Sequence, residues 1–438
     1  MGVRSLVGRA KSLGGVVLGA SLGGVIGAFV VVGVTLVPKA GMDFAAGQSL
    51  LYIVVVPMLG LVVATLILHG IGTTAGEGHQ PHPWREFPRG AIRADISSDV
   101  IDSAGEEERF PWRLAPMRAL AIVATVASGV AMGTEAPAAY LGVAADVSLG
   151  DRGRWWRRLL RPAALAGGSA GVAALMAIPL VGTAFMLEIG RRRRAPLSAE
   201  RILAALAGGF IGWGINRAFD LNLIRLVVPK EPPSTFTMAV VTAVLIGGLS
   251  GAITSFAGLA VNRAKKWQAP SAVRLAIGGA AMIGAVLILA RLATPSAAVG
   301  PGGGAILWAE NANPLPMTLL AVCVLRALVC TAAVAAGGCG GVFVPFLAVG
   351  DIAGRVFAPG LDVGNDLAGA AGAAGGISGG YRLPFTAVAM VLGVGGPHLA
   401  TLTCLATVAV AFYAALGAEA TLARSMSLLT VRRQARAQ

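Results

Sequence analysis

The chain has 438 residues, of which 56% are hydrophobic and 13% are charged, with a mean hydropathy of +0.76. Soluble domains carry about a quarter charged residues, so this composition excludes an ordinary soluble protein and predicts an integral membrane protein. The formal net charge is +14. The basic residues form short clusters beside apolar runs, as at 191–194 and 263–266, which is typical of cytoplasmic loops and argues against nucleic-acid binding.

Apolar runs long enough to cross a membrane follow one another along the chain. The basic, mildly amphipathic N-terminus predicts a cytoplasmic interfacial helix at 1–14. A polar loop is predicted at 80–111, an interfacial stretch at 201–228 and a glycine-proline loop at 294–315. The 61 glycines predict that several runs hold two shorter helices. The predicted spans are 13–38, 47–69, 112–132, 162–189, 236–261, 272–293, 316–337 and 386–417.

Two stretches of the chain pair without a gap at an offset of 208 residues. Arg-Ala-Leu opens both of them, at Arg118 and at Arg326. Further along, both read GxxxPxxxxG, beginning at Gly133 and at Gly341. This correspondence predicts that the chain contains two copies of one membrane unit.

Each copy contains a helix that is interrupted inside the membrane. A glycine break ends one helix, and a proline suited to the first turn begins the next. The N–H groups and positive dipole end of the new helix are costly at mid-depth unless they meet a ligand. Two such N-termini facing each other, at 133–137 and 340–345, predict an anion site without a fixed full charge. The alternative is that the glycines only allow tight helix packing.

These features predict an all-α polytopic membrane protein with two inverted-topology repeats and broken, re-entrant helices. The first repeat is placed at 15–228, the second, with a final pore-facing helix, at 229–430, and a basic cytoplasmic tail at 431–438. The apolar runs carry no His or Cys cluster with catalytic or metal-ligand spacing. We therefore expect no metal, no cofactor, no catalytic residues and no enzyme activity.

Glu135 is the only charged side chain between residues 122 and 144. A carboxylate at this depth is expensive, which indicates a function in gating and in carrying protons. Ionised, it would compete with an anion for the site, and protonated, it would leave. The alternative is a first-turn glutamate that stabilises its own helix dipole.

Glu188 and Glu77 are two further candidates. Glu188 closes an apolar run just before the four arginines at 191–194. It is predicted either to form an interfacial ion pair with them or to relay protons from the cytoplasm to Glu135. Glu77 lies at a third glycine-rich break, where it would repel an anion unless it turns away, is neutral or is paired.

Three segments resemble motifs of the CLC family of chloride channels and proton-coupled chloride transporters. GGVFVPFLAVG at 340–350 resembles the family's GxFxP motif, and GTEAP at 133–137 resembles its G(K/R)EGP motif. GEGHQP at 76–81 resembles a remnant of its GSGIP motif. The resemblance is to a divergent bacterial type without CBS domains, and it covers nearly the whole membrane chain.

The resemblance implies roles for individual residues. Glu135 would be the external gating glutamate. The protein would be a homodimer with one pore in each subunit. Backbone N–H groups would bind the anion in a central and an outer site. The anion-binding positions would be Thr134, Ala136, Val342, Phe343 and Val344, with Gly76, Glu77 and Gly78 in the third motif.

Three positions depart from the family pattern. The family's central serine aligns with Glu77, and its central tyrosine falls near Ala418, with Tyr413 too early to replace it. The internal proton glutamate aligns with Ile189, next to Glu188. A site without both hydroxyls would bind chloride more loosely, which would weaken the coupling between anion and proton or reflect a different anion.

We therefore expect transmembrane transport of chloride or a similar small anion, by tightly or loosely coupled H⁺/anion exchange gated by Glu135. The alternatives are a passive CLC-type anion channel and a non-transporting anion-sensing membrane protein. The expected partners are the anion, protons, membrane lipid and a second copy of the chain. The expected location is the plasma membrane, as a multi-pass protein.

Overall fold

The structure is a computed structural model, and its described elements are helices. The described residues are 3–71, 100, 110, 112–153, 155–156, 163–192, 194–220, 235–361, 363–381, 383–395, 409–421 and 424. A π-helical turn follows the second helix at Ile67–Ile71, and 3₁₀ turns lie at Trp112–Leu114 and Pro359–Leu361. The α-helices are α1 (Val3–Ala46), α2 (Leu50–Leu66), α3 (Ala115–Ala127), α4 (Glu135–Gly150), α5 (Ala163–Met176), α6 (Pro179–Arg192), α7 (Ala199–Phe219), α8 (Phe236–Lys265), α9 (Ser271–Leu292), α10 (Pro295–Ala298), α11 (Gly303–Asn311), α12 (Pro316–Ala335), α13 (Phe343–Phe357), α14 (Asn365–Tyr381), α15 (Pro384–Gly395) and α16 (Ala409–Thr421).

The helices repeat in the same order in the two halves of the chain. Helices α3 to α6 correspond to α12 to α15, with the glycine break between the first two helices of each set. Helix α1 packs against α4 and α5, and α8 packs in the same way against α13 and α14. Helix α2 packs against α3 as α9 packs against α12. The two copies predicted from the sequence are therefore present as packed helical units.

Six helices of the described part of the chain are long and apolar enough to cross a membrane. Five of them lie in runs that the sequence analysis predicted as spans. Shorter apolar helices, such as Leu165–Met176 and Ala409–Thr421, accompany them. The six are Leu13–Ala45, Leu50–His69, Ala199–Phe219, Val240–Lys265, Ser271–Leu292 and Pro316–Ala335.

The prediction that long apolar runs hold two shorter helices is confirmed. The run at 162–189 contains all of α5, a break and most of α6. At the break, Ala177 has a φ of 58°, a left-handed conformation that ends α5, and Pro179 then occupies the first turn of α6. The described residues of the run at 386–417 belong to two helices, α15 and α16.

The structure corrects the prediction of an interfacial stretch at 201–228. Residues 199–219 form α7, a helix of spanning length that packs against α1, α5 and α6. A side chain at Gly208 or Gly212 would collide with the backbone carbonyls of Ala166 and Ala170, so the backbones of α7 and α5 are in close contact. Residues 221–228 are outside the described part.

The prediction of a loop at 294–315 is wrong, because this segment contains α10 and α11. The hydroxyl of Thr294 accepts the N–H of Ala297 and so caps α10. The buried guanidinium of Arg326 donates to the carbonyl of Gly300 at 2.8 Å and to those of two residues of α10 at 3.4 Å. A contact to α12 therefore orders a segment whose composition alone suggested a loop.

One predicted domain limit, between residues 14 and 15, falls in the described part of the chain. It does not coincide with the end of a helix. Residues 3–14 continue without a break into the first span, within the single helix α1. The limits at 228 and 430 lie outside the described residues. They stay predictions.

Arg355, near the end of α13, forms a buried ion pair within its own helix and also contacts the start of α14. Arg355 donates through Nε to Oδ1 of Asp351 at 2.7 Å, and both side chains are at most 1% exposed. Nη1 of the same arginine lies 3.7 Å from Oδ1 of Asp366, in the first turn of α14. Since α13 begins at the glycine break, this pair helps to fix the helix that leaves the break.

We expect Asp351→Asn to lower the free energy of unfolding by about 3 kcal/mol, because it leaves the Arg355 guanidinium buried without its main partner. Thermal unfolding of the purified protein in detergent, followed by tryptophan fluorescence, measures the change as a lower Tm.

The pair of Lys39 and Asp43 provides the control. It has the same spacing along a helix and an N–O distance of 3.0 Å, but its side chains are 30% and 67% exposed. Asp43→Asn is therefore expected to change stability by less than about 0.5 kcal/mol. Equal shifts of Tm in the two variants would contradict a stabilising role for the buried pair.

Candidate anion site

The two glycine breaks lie against each other and pair through their backbones. The N–H of Gly133 donates to the carbonyl of Gly341, and the N–H of Gly341 donates back to the carbonyl of Gly133, both at 2.7 Å. This is an isolated antiparallel pairing between the two repeats. Helix α4 begins two residues after the first glycine, and α13 begins two residues after the second. The pairing therefore brings the N-termini of α4 and α13 together.

Each of these helix starts supplies backbone N–H groups to the same region. The first four N–H groups of an α-helix have no carbonyl partner inside the helix, and the helix dipole adds a partial positive charge there. Thr134 and Val342 occupy the cap positions before α4 and α13, and neither side chain makes a capping hydrogen bond. The residues at both starts are buried, so these backbone groups act in a medium of low dielectric constant.

The carboxylate of Glu135 occupies the place where the two helix starts meet. Glu135 is the first residue of α4 and is 2% exposed. The backbone N–H groups of Thr134, of Glu135 itself and of Val344 lie beside the carboxylate. Groups from both repeats thus converge on one negative charge. One carboxylate oxygen, Oε2, is buried without a hydrogen-bond partner among the described residues that satisfies normal geometry.

Gly133 allows the carboxylate to fold back onto the start of its own helix. A Cβ at this position would overlap Oε2 of Glu135 and lie 3.0 Å from its carboxyl carbon. Any other residue would push the carboxylate away from the N–H groups. The glycine that marks the helix break in the sequence is therefore also required by the position of the acid.

The structure brings together Glu135 and the predicted anion-binding residues that it describes, and it buries all of them. Thr134, Glu135 and Ala136 come from the first repeat, and the other three come from the second. The third motif, with Gly76, Glu77 and Gly78, lies outside the described residues. The buried set is Thr134, Glu135, Ala136, Val342, Phe343 and Val344.

The two repeats contribute different side chains at equivalent positions. The offset of 208 residues places Phe343 opposite Glu135. Phe343 packs edge-on against Phe185 of α6, with ring centroids 5.9 Å apart. One repeat therefore supplies an acid at this position, and the other supplies an aromatic side chain.

A threonine of the first repeat holds the break of the second repeat in place. The hydroxyl of Thr125, in α3, accepts the N–H of Cys339 at 3.2 Å and donates to the carbonyl of Ala121 at 2.8 Å. No sequence pattern indicates this contact, because the two residues are 214 positions apart. Together with the glycine pairing, it fixes the segment that leads into α13.

Glu188 makes a contact that was not part of either role predicted from the sequence, the interfacial ion pair or the proton relay. Its carboxylate accepts the N–H groups of Phe385 and Thr386, each at 2.8 Å, and the hydroxyl of Thr386 at 2.6 Å. These groups form the first turn of α15, which is the counterpart of α6 in the second repeat. Glu188 therefore caps a helix of the other repeat. Proline at the start of α15 marks this helix N-terminus in the sequence, but nothing local connects it to Glu188.

The other positions that the family comparison singled out lie on α6 and α16. Ile189, next to Glu188, is buried. Tyr413 is 64% exposed and packs against Phe412, so its hydroxyl lies on the surface of the subunit. This agrees with the prediction that Tyr413 does not replace the family's central tyrosine.

The arrangement has the chemical features of a site for a small anion that a carboxylate can also fill. Its donors are backbone N–H groups at two helix starts, which bind negative charge without a full positive charge of their own. A helix interrupted at mid-membrane is tolerated where it meets a ligand. The side chain that fills the site is also one that can take up a proton.

Comparison with known proteins agrees with this architecture. A family model described as voltage gated chloride channel matches residues 85–416. A chloride/fluoride channel protein of Pseudomonas syringae is 27% identical over 319 residues, which cover 71% of this chain and 69% of that protein. The H(+)/Cl(-) exchange transporter ClcA of Klebsiella pneumoniae is 28% identical over 316 residues, which cover 67% of this chain and 64% of the transporter. The chain thus spans about two thirds of the length of these relatives.

Solved structures show the same fold at lower identity. A CLC-type fluoride/proton antiporter superimposes with a TM-score of 0.70 at 20% identity, over 93% of this chain and 96% of the antiporter. A slow cyanobacterial Cl-/H+ antiporter superimposes with a TM-score of 0.63 at 19% identity, over 94% and 98% of the two chains. These likenesses confirm the predicted all-α fold with inverted repeats and broken helices. Because the family model matches more than half of its residues, this multi-pass membrane chain belongs to the voltage gated chloride channel family.

Proposed function

We propose that this protein transports chloride or a similar small anion across the membrane in exchange for protons, with Glu135 as the gate. One observation carries the proposal: N–H groups from the helix starts of both repeats converge on the Glu135 carboxylate. A site that binds a carboxylate through backbone N–H groups has the charge and the donors to bind a halide. The bound side chain is then a competitor that the protein itself supplies.

The proposed mechanism follows from this competition. When Glu135 is ionised, its carboxylate binds the N–H groups at the starts of α4 and α13 and excludes the anion. Protonated, it loses most of its attraction to these donors and leaves, and an anion takes its place. Return of the ionised carboxylate displaces the anion, so each cycle couples movement of a proton to movement of an anion. In this proposal the backbone groups of Thr134, Ala136, Val342, Phe343 and Val344 hold the anion.

A passive anion channel is the second candidate, and two observations favour it. The buried side chain of Ile189 cannot carry a proton, and it stands where the family has its internal proton glutamate. The neighbouring carboxylate of Glu188 accepts three hydrogen bonds from α15, and taking up a proton would cost one or more of them. The relatives' names include both a channel protein and an exchange transporter.

We further propose that the protein works as a homodimer in the plasma membrane. Family resemblance supports this proposal, and so do large apolar side chains on the surface of α7, α15 and α16, where Phe210, Phe385 and Tyr413 are at least half exposed. Light scattering of the detergent-solubilised protein would give twice the mass of one chain. A monomer mass over a wide range of concentrations would contradict the dimer.

The first test records chloride efflux and external pH together, with purified protein in liposomes. A chloride gradient is expected to drive uphill proton movement in the wild type. In Glu135→Ala, proton movement is expected to fall at least about 100-fold while chloride still flows, because removal of a proton-transfer group typically has an effect of this size. Chloride flux through the wild type is also expected to rise as pH falls, and this rise is expected to be absent from the variant.

The matched control is Glu200→Ala, which removes a first-turn glutamate from the exposed start of α7. It is expected to leave both fluxes unchanged. Chloride flux without proton movement in the wild type would reject exchange in favour of the channel. Anion binding with no flux in either protein would instead indicate a non-transporting sensor.

A second test separates the two functions of Glu188, helix capping and proton relay. We propose that capping is its role, so Glu188→Gln is expected to lower Tm and to leave the ratio of protons to chloride unchanged. In a double-mutant cycle with Thr386→Val, the two changes are expected to be non-additive by about 1 to 2 kcal/mol, because they remove the same hydrogen bond. Additive effects on stability, together with loss of proton movement in Glu188→Gln, would support the relay predicted from the sequence.

A further inference from the structure

The hydroxyl of Thr134 is buried at the start of α4 and has no hydrogen-bond partner. Thr134 is 1% exposed, and its Oγ1 makes no hydrogen bond within the described part of the chain. Threonine at a helix cap normally accepts an N–H of the first turn, but this side chain makes no such bond. The hydroxyl is therefore not used to stabilise its own helix.

Several other buried threonines of the described part hydrogen-bond through their hydroxyl groups, whereas the buried hydroxyl of Thr65 also has no partner there. The hydroxyls of Thr35, Thr125 and Thr254 each donate to a backbone carbonyl four residues earlier, at 2.7 to 2.9 Å. A buried hydroxyl that lacks such a bond is costly, and its presence needs an explanation. An acceptor that occupies the site during part of the working cycle would supply one.

The position of Thr134 indicates which acceptor that would be. Its backbone N–H lies beside the Glu135 carboxylate, as does the N–H of Val344 from the other repeat. Thr134 therefore lies at the convergence of the two helix starts. The Glu135 carboxylate fills this region, yet its Oε2 and the Thr134 hydroxyl both remain without partners. The carboxylate satisfies the backbone donors and leaves the side-chain donor unused.

We propose that the Thr134 hydroxyl is a side-chain donor to the transported anion once Glu135 has left the site. A small halide, chloride or fluoride, is a single acceptor that can be reached by the backbone N–H groups and the hydroxyl together. The hydroxyl then contributes affinity for the anion that it does not contribute for the carboxylate. This difference in affinity favours replacement of the bound carboxylate by the anion. The inference rests on the proposed function, because it assigns a ligand to the same site.

Equilibrium binding tests the inference without depending on transport. Isothermal titration calorimetry of the purified full-length protein is carried out with sodium chloride and with sodium fluoride. Thr134→Val keeps the shape of the side chain and removes the donor, so the Kd of the preferred halide is expected to rise about tenfold, the usual effect of losing a hydrogen bond to a charged group. Thr134→Ser keeps the donor and is expected to stay within about twofold of the wild type.

Two further variants control for packing and for the identity of the acceptor. Thr254→Val removes a buried hydroxyl that already donates to the carbonyl of Ser250, on α8, and it is expected to leave halide affinity unchanged. The change at Thr134 is also made in Glu135→Ala. If the hydroxyl binds the anion, the tenfold loss persists in that background. If its partner is the carboxylate, the loss disappears and the inference is wrong.

The outcomes for the inference and for the proposed function can be distinguished. Equal halide affinity in the wild type and in Thr134→Val would overturn the inference and leave exchange by the wild type untouched. Weaker binding in both Thr134→Val and Thr134→Ser would also overturn it, since a packing effect would explain that result. Absence of coupled flux in the wild type would overturn the proposed function, and the titrations would still decide the role of the hydroxyl.

Discussion

The reciprocal hydrogen bonds between Gly133 and Gly341 are the constraint on which the site depends. They join two chain segments that each leave a helix inside the membrane, where unpaired backbone groups are costly. The pairing satisfies one N–H and one carbonyl of each segment and directs the next helix start of each repeat toward the other. The Thr125 contact to Cys339 and the buried pair of Asp351 and Arg355 hold the second segment and its helix in the same arrangement.

The duplication of the chain produces the backbone arrangement of the site, and the side chains that differ between the two repeats produce its chemistry. Because the repeats are equivalent, two helix starts meet, and a site of this kind needs no buried cation. At equivalent positions one repeat has Glu135 and the other has Phe343, so one carboxylate serves both helix starts. The acid and the anion compete for the same donors, and this competition is the physical basis of the proposed coupling. The Thr134 hydroxyl would shift this competition in favour of the anion.

Several elements show where local sequence patterns succeed and where they fail. The breaks at Gly133 and Gly341 were predicted, because glycine and proline act on the backbone within a few residues. The stretch 201–228 was predicted to be interfacial, but residues 199–219 form the spanning helix α7, whose glycine contacts with α5 are visible only in three dimensions. The segment 294–315 was predicted to be a loop, because the carbonyls that order it are held by Arg326, which is distant in sequence.

The sequence by itself determined the membrane environment, the duplication and the broken helices, and it predicted Glu135 as an acid at an anion site. These follow from composition, from spacing and from the cost of burying charge, which are all local or periodic properties. Only the tertiary structure decided which groups meet: both helix starts on one carboxylate, Glu188 on the first turn of α15, and the Thr134 hydroxyl without a partner. Hydrogen bonds depend on distances of a few ångströms between groups that are up to 198 residues apart in the case of Glu188, and no local pattern encodes those distances.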